Sequence, residues 1–359
     1  MLLLTAAGGG AAWAGGRARM GGTLSVAAVS RSATPTSPET PVEAALFALS
    51  HTPLCRLAVP SRPTPTTVVL STSAPAEVAA ALEAVRTGTS PYRALLSAVK
   101  RVTPAAGRVE LTLDGPAPEL EAVLCHPALS VSVAPFVEGR ANVQHPAGRP
   151  FVDGVTVQLT VASAADRLVS QRRAHVVLGV GGNDGGPLAF ATYLRVAPDA
   201  PAGLRTALEA SIDRAELTRF FVRAPAQPLH GVLPPSLGGP ATAQARPPRP
   251  PRPPAEVTVT LAFDDTNDDH RAIAQKLQVK LQPLGFRVSL VPVARGARAS
   301  SALSLQTLVL PPAPGPALDL IRAVAGDADG QSLLPLCLQG LALTAAPDVR
   351  RLTRDDYGI

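Results

Sequence analysis

The clearest pattern of apolar and polar residues lies between residues 256 and 293. EVTVTLAFDD (256–265) and FRVSLVPV (286–293) alternate as strands do. Between them, apolar residues recur at helical spacing over 267–284, acidic residues crowd the start, and Gly285 follows the end. Strand, helix and strand over about forty residues predict a right-handed βαβ unit with parallel strands.

Similar patterns predict further strands and helices along the rest of the chain. Strands are expected at 21–30, 108–114, 151–161, 175–181 and 190–196. Helices are expected around 41–50, 74–85, 90–102 and 120–127, with one or two more over 201–222. Ser90 as a cap, with Pro91 at the first helical position, predicts the start of the third helix.

The length of the chain indicates two domains, and the distribution of its charges argues against a nucleic-acid-binding protein. A chain of 359 residues exceeds the usual limit for one core, so two domains or two lobes are expected. The net charge is +6, and nearly all of the cations are Arg. They are scattered along the chain without interleaved aromatic residues, so the basic stripe of a nucleic-acid-binding protein is missing.

The cysteines and the first residues bear on the compartment. Cys55, Cys125 and Cys337 are odd in number and lie in apolar contexts, which favours buried inert thiols over the alternative of a disulfide plus a leftover thiol. Residues 1–20 open with an apolar run too short to span a bilayer and form a candidate signal peptide, although no Lys or Arg precedes the run.

No motif of a known catalytic class is found in the sequence. It has no GxSxG, no GxxxxGK[ST] and no HExxH. GVGGNDGG (179–186) imitates a dinucleotide fingerprint, but Pro187 and a predicted strand follow it, so a plain turn is the better interpretation. We therefore expect no enzyme activity, no metal and no cofactor.

Two other tracts have a simple structural interpretation beside a functional one. Asp264, Asp265, Asp268 and Asp269 would hold a divalent cation or, as we prefer, cap and charge the helix that begins near Asp269. RPPRPPRPP (246–254) predicts a polyproline II spacer rather than an SH3-type ligand.

Four segments resemble, in the same order, parts of the extracellular solute-binding protein family 5, which serves peptide and nickel ABC importers. They read LSVAPFVEGRANVQHPAGRPFVDGVTVQL, IDRAELTRFFVRAPAQPLHGVLPPSLGG, VTLAFDDTNDDHRAIAQKLQVKLQPLGFRVSLVPV and LLPLCLQGLALTAAPDVRRL. The third segment is similar to the family's "R-x-I-A-x-x-L-Q-x-x-L-x-x-x-G" helix between two strands. Together the four segments cover residues 120–359.

This resemblance implies an α/β type II periplasmic binding protein fold, with two lobes joined by crossing strands. Lobe I would comprise 21–195 and 304–359, and lobe II would comprise 196–303 with a proline-rich insertion at 240–255. The crossings are expected near 192–196 and 304–310.

The resemblance also implies a function and partners. A peptide or other small solute would be captured in the inter-lobe cleft by hinge closure, for delivery to an ABC transporter permease. Candidate ligand-binding residues on turns and crossing strands are Phe136, Asn183, Tyr193 and Arg195. A monomeric protein, exported to the periplasm or cell envelope and at most peripheral to the membrane, is expected.

Two departures from the family support an alternative. The first-lobe section containing "F-x-L-R-x-x-x-x-F-x-D-G" is absent between Leu57 and Ala76. The segment after Pro292 lacks the acidic residue with which peptide-binding members hold the amino terminus of a peptide. The alternative is a degenerate homologue that acts as an envelope scaffold or interaction protein and transports nothing.

Overall fold

The structure is a computed structural model that describes residues 5–6, 21–35, 38–146, 150, 152–180, 188–242, 255–294, 301–327, 329–346 and 349–350. The proline-rich tract at 246–254 lies outside these residues, as does the candidate signal peptide apart from Thr5–Ala6. The chain divides into two compact units. Unit 1 comprises Met1–Pro187, Pro311–Pro316 and Gly340–Ile359, and unit 2 comprises Leu188–Leu310 and Ala317–Gln339.

Unit 1 is built from three sheets. Its strands are β1 (Thr5–Ala6), β2 (Thr23–Ala28), β3 (Ala58–Thr64), β4 (Thr67–Thr72), β5 (Val99–Ala105), β6 (Arg108–Leu113), β7 (Phe136–Val137), β8 (Arg140–Ala141), β9 (Gly154–Leu159), β10 (Val176–Leu178), β17 (Leu343–Ala345) and β18 (Val349–Arg350). The orders are β17-β10-β2-β9-β8-β7, β3-β4-β6-β5 and the pair β1-β18. The central strands β10, β2 and β9 are parallel, whereas the four-stranded sheet is antiparallel throughout.

The helices of unit 1 begin at clear sequence signals. They are α1 (Pro41–Phe47), α2 (Leu54–Leu57), α3 (Pro75–Thr87), α4 (Leu120–Val123) and α5 (Ala162–Ser170), with 3-10 turns at Pro91–Leu96 and Pro127–Leu129. Thr40 and Glu43 form a capping box at the start of α1, an arrangement that stabilises a helix by about 1 kcal/mol. Both α1 and α3 carry a proline in the first turn, where its missing N–H costs nothing.

A disulfide joins Cys55 in α2 to Cys125 just after α4. The preferred interpretation of three inert thiols is therefore wrong, and the alternative of one disulfide and a leftover thiol holds, with Cys337 buried and free. Backbone hydrogen bonds run beside the disulfide, including one from the N–H of Cys55 to the carbonyl of Leu124. The sequence hides this pairing because the two cysteines lie 70 residues apart.

Unit 2 contains one six-stranded sheet in the order β12-β16-β11-β15-β13-β14. Its strands are β11 (Phe190–Val196), β12 (Ala226–Pro228), β13 (Val257–Asp264), β14 (Phe286–Val293), β15 (Leu303–Val309) and β16 (Leu333–Gln339). Strand β13 is parallel to both β14 and β15, and β11 is antiparallel to β15 and β16. The sheet is thus mixed, with a parallel half and an antiparallel half.

The helices of unit 2 are α6 (Leu204–Ser211), α7 (Arg214–Phe220), α8 (Asp268–Leu281) and α9 (Pro314–Ala325), with 3-10 turns at Pro235–Leu237 and Gln282–Leu284. The first turn of α9 belongs to unit 1. Apolar faces of α6 and α8 pack on the sheet, burying Leu208, Leu277 and Leu305 in one core. The predicted βαβ unit is confirmed, since β13, α8 and the parallel strand β14 follow one another.

The predicted helix at 90–102 is wrong beyond its first turn and a half. Ser90 caps it as expected, but the element is a 3-10 turn over Pro91–Leu96, and β5 begins at Val99. Residues from Val99 onward form a hairpin with β6, closed by Gly107 at a φ of 69°. Long-range strand pairing therefore overrides the helical spacing of this segment.

The helix predicted at 120–127 is also shorter than expected, because α4 ends at Val123 and His126 caps the separate turn Pro127–Leu129. Among the described residues, no helix is long and apolar enough to cross a membrane.

The strands predicted as lobe crossings are β11 and β15, which pair with one another inside unit 2. The chain passes from unit 1 to unit 2 after Pro187, returns after Leu310, and finally leaves unit 2 after Gln339. The predicted lobe boundaries, which place 304–359 in lobe I, stay a prediction.

Candidate functional site

The sheet of unit 2 gathers several strand ends at one edge, here called the carboxyl end. β13 and β14 finish in parallel there, and β15 runs parallel to β13. Phe190, at the start of β11, pairs with Val309 and with Gln339, which places the ends of β15 and β16 at the same edge. Ligands of open α/β sheets bind outside the carboxyl ends of the strands, so a ligand-binding site is expected at this edge.

A chain of hydrogen-bonded polar side chains lies at this carboxyl end. The Thr192 and Thr307 hydroxyls lie 2.9 Å apart on paired strands. His270, in the first turn of α8, places Nε2 2.8 Å from the Thr307 hydroxyl. The Gln339 amide donates to the Thr192 hydroxyl over 3.4 Å. Side chains from four elements thus meet in one polar chain.

Most of this polar chain is buried, which gives it a defined geometry. Thr192 is 0% exposed, His270 4% and Gln339 5%, whereas Thr307 is half-buried. Most buried polar groups are hydrogen-bonded, and networks of such bonds favour one arrangement. Thr307 is the member most accessible to solvent.

The turn between β13 and α8 borders the polar chain. Asn267 caps α8, because its side chain accepts from the N–H groups of Asp269 and His270. Asp264 holds the turn by accepting from the backbone N–H and the hydroxyl of Thr266. The prediction that Asp265 to Asp269 cap the helix is therefore corrected in detail, since Asn267 is the cap and Asp268 and Asp269 lie in the first turn.

One carboxylate oxygen of this turn is buried without a partner. Within the part of the chain that the structure describes, Oδ1 of Asp265 is inaccessible to solvent and has no hydrogen bond. A buried acceptor left unmatched costs about 1–3 kcal/mol.

Burial also shifts the pKa of two neighbouring groups. It raises the pKa of Asp269 to about 6, against the opposing effect of the Arg223 backbone N–H, which donates to Asp269 Oδ1 over 3.3 Å. Burial raises the pKa of the Cys337 thiol to about 11, so the thiol stays protonated and unreactive at neutral pH. No group of three or more metal-ligating side chains is found among the described residues.

Three of the four residues predicted to bind ligand lie within the described part of the chain, Phe136 in unit 1 and Tyr193 and Arg195 in unit 2. Asn183 lies outside the described residues, and Phe136 is half-buried in unit 1, where it pairs with Ala141 in a short hairpin. Tyr193 is 0% exposed, and its hydroxyl donates to the carbonyl of Val232 over 2.7 Å. Arg195 lies toward the opposite end of β11 from the carboxyl end.

The side chain of Arg195 has a structural contact there. Its Nε approaches the carbonyl of Ala325, the last residue of α9, at 3.4 Å, where a cation complements the negative end of the helix. The ligand-binding role of these four residues stays a prediction.

The residues of the polar chain have a recognisable signal in the sequence. Thr192 lies in FATYLRV, Thr307 in LSLQTLVL and Gln339 in LLPLCLQG. Each is a polar residue on a mostly apolar strand, and buried polar residues are usually kept where the fold gives them partners. Which of them meet could be known only from the strand order.

Comparison with solved structures identifies the fold. A nickel-binding protein, NikA from Staphylococcus aureus with Ni(L-His)2, matches with a TM-score of 0.68 and 12% identity over 94% of this chain and 97% of that one. DppA from Helicobacter pylori, in complex with the peptide STSA, gives 0.64 and 12% over 90% and 94%.

A substrate-binding protein from Microbacterium hydrocarbonoxydans, complexed with 4-hydroxybenzoate hydrazide, gives a TM-score of 0.65 and 13% identity over 94% of this chain and 98% of that one. No family model and no curated protein matches the sequence. At these identities the likeness concerns the fold, and the chain has the α/β fold of the periplasmic solute-binding proteins of ABC transporters, as the sequence resemblance implied.

Proposed function

We propose that this protein is the substrate-binding component of an ABC importer, exported to the cell envelope, and that it takes its solute at the carboxyl end of the unit 2 sheet. The solute is a peptide or another small molecule that carries a hydrogen-bond donor, usually a cationic one. In this proposal the bound solute stabilises a closed arrangement, which the permease recognises.

The observation that carries the proposal is the unmatched Asp265 Oδ1 in the turn before α8, the helix whose His270 joins the polar chain, in a fold used for solute binding. Peptides and nickel complexes, which the similar structures hold, both present N–H donors. Asp265 would accept such a donor, and the half-buried Thr307 hydroxyl would orient it. His270 and Thr192 support Thr307 from within the unit.

The disulfide supports the exported location. Disulfides persist in oxidising compartments and are rare in the cytosol. The Cys55–Cys125 bond joins α2 to the segment that follows α4, and both cysteines are half-buried. It favours a periplasmic or extracellular site of action, where an importer's receptor works.

Thermal-shift screening of the purified chain against peptides, metal–amino acid complexes and sugars tests the proposal. We expect a stabilising solute, because ligand at 100 times its Kd adds about 2.7 kcal/mol of stability to the state that binds it. Asp265→Ala should abolish that shift. Asp319→Ala, which removes an exposed carboxylate on α9, should leave it intact.

Silence across a broad library would contradict the proposal and favour the alternative of a scaffold that transports nothing. An equal loss of the shift in Asp265→Ala and Asp319→Ala would contradict the location of the site, although not the receptor function itself.

A further inference from the structure

A stretch of unit 1 is unusually basic. Residues 84–109 contain no Asp or Glu, although acidic residues flank them at Glu83 and Glu110. The stretch holds these cations: Arg86, Arg93, Lys100, Arg101 and Arg108. In a chain whose net charge is only +6, this segment accounts for a large local excess of positive charge.

Three of these cations surround one pocket, here called the basic pocket. The end of α3, the turn Pro91–Leu96 and the start of β5 border an open depression of about 440 Å³. Arg86, Arg93 and Lys100 line it, together with the hydroxyl of Ser97 and one carboxylate, Asp114. The basic pocket lies wholly within unit 1, far along the sequence from the carboxyl end of unit 2.

Two of the pocket cations are uncompensated. Arg86 forms an ion pair with Glu83, at 2.7 Å between Nη2 and Oε2. Arg93 and Lys100 are exposed, and neither forms a salt bridge within the described part of the chain. With one carboxylate against three cations in its lining, the pocket keeps a positive potential.

The other walls of the basic pocket are apolar. Leu96 and Val99, which are 1% and 4% exposed, contribute to the lining with Ala94. A bare inorganic ion would leave most of the volume empty. The pocket therefore has room for an oxyanion attached to a small organic group, with the charge toward the cations and the carbon atoms toward Ala94, the accessible apolar residue of the lining.

We infer that the basic pocket binds a phosphate ester. Arg guanidinium groups pair with phosphate oxygens through two parallel hydrogen bonds, Lys adds a point charge, and the Ser97 hydroxyl supplies a further donor. The phosphate group comes either from a free phosphate ester or from the headgroup of an anionic lipid. This site is separate from the proposed solute site and does not depend on it.

Titration calorimetry with glycerol 3-phosphate tests the inference on the full chain. We expect saturable binding that weakens as NaCl is raised, because exposed ion pairs are screened. The double variant Arg93→Gln/Lys100→Gln should weaken binding at least about tenfold, since it removes charge-assisted hydrogen bonds. The matched control Arg167→Gln/Arg173→Gln removes two exposed cations elsewhere in unit 1 and should change binding by less than about twofold.

Sedimentation with vesicles distinguishes the two sources. Binding to phosphatidylglycerol vesicles but not to phosphatidylcholine vesicles, with loss in Arg93→Gln/Lys100→Gln, would identify a lipid headgroup. Binding of glycerol 3-phosphate alone would identify a free ester. Absence of both, or an equal loss in the double variant and its control, would overturn the inference, and circular dichroism of both variants checks that they are folded.

Discussion

The two units place their polar groups in opposite ways. At the carboxyl end of unit 2, hydroxyl, imidazole and amide groups are buried and hydrogen-bonded to one another. In unit 1, the cations of the basic pocket lie at the surface, and a disulfide joins Cys55 to Cys125. A buried network selects by geometry, whereas surface cations act through a field that salt screens.

The two regions should therefore bind their ligands by different interactions. Unit 2 should discriminate among solutes by their hydrogen bonds, and binding there should change little with ionic strength. Unit 1 should bind by charge, with a steep dependence on salt. Variants in one unit should leave the properties of the other unit unchanged.

Removal of the disulfide should affect unit 1 most. Closing a loop of 70 residues restricts the unfolded chain enough to contribute about 4 kcal/mol. Cys55→Ala/Cys125→Ala should therefore speed hydrogen exchange across unit 1 and leave unit 2 protected. Cys337→Ala, which changes the buried thiol of unit 2, is the matched control and should reverse that pattern. Uniform loss of protection in both variants would show that the units do not unfold separately.

The buried carboxyl of Asp269 should make unit 2 less stable as the pH rises. Its folded-state pKa of about 6 lies above its ordinary value of 3.8, so the folded state keeps a proton that the unfolded state has released. Stability should fall between about pH 4 and pH 6, by about 3 kcal/mol in all. Urea titrations should show that Asp269→Asn loses this fall, and an unchanged slope in the variant would contradict the assignment.

Breaking the polar chain should cost somewhat less. Thr192→Val keeps the shape of the side chain but leaves Thr307 and Gln339 without one hydrogen bond each. We expect a loss of about 1.5 kcal/mol in the free energy of unfolding. Thr258→Val, at an exposed position on β13 of the same sheet, should change it by less than about 0.5 kcal/mol. Equal effects in chemical denaturation would mean that the polar chain contributes nothing specific.

Local patterns predicted unit 2 better than unit 1. The βαβ unit is continuous in sequence, and its strand alternation, acidic helix start and terminal Gly285 all favour the same structure. In unit 1, the strand that begins at Val99 exists because β6 pairs with it. Strand β3 also escaped prediction because it contains Pro60 and Pro63, which only an edge strand tolerates.

The candidate site could be predicted only in part. The acidic residues after β13 are evident in the sequence, but acidic residues are common at the start of a helix and therefore do not by themselves indicate a binding site. Strand order and burial decide that Asp265 keeps an unmatched buried oxygen and that Thr192, Thr307 and His270 meet. The sequence analysis selected Tyr193 and Arg195 on a predicted crossing strand. In the structure, both side chains form hydrogen bonds to backbone carbonyl groups.

Hydrogen exchange with and without the best solute from the thermal-shift screen tests whether that solute binds at the carboxyl end of the unit 2 sheet. We expect the solute to slow exchange in peptides covering 264–270 and 304–310, and we expect Asp265→Ala to remove this protection. Protection confined to other segments, with exchange at 264–270 and 304–310 unchanged, would contradict the proposed site at the carboxyl end of the unit 2 sheet.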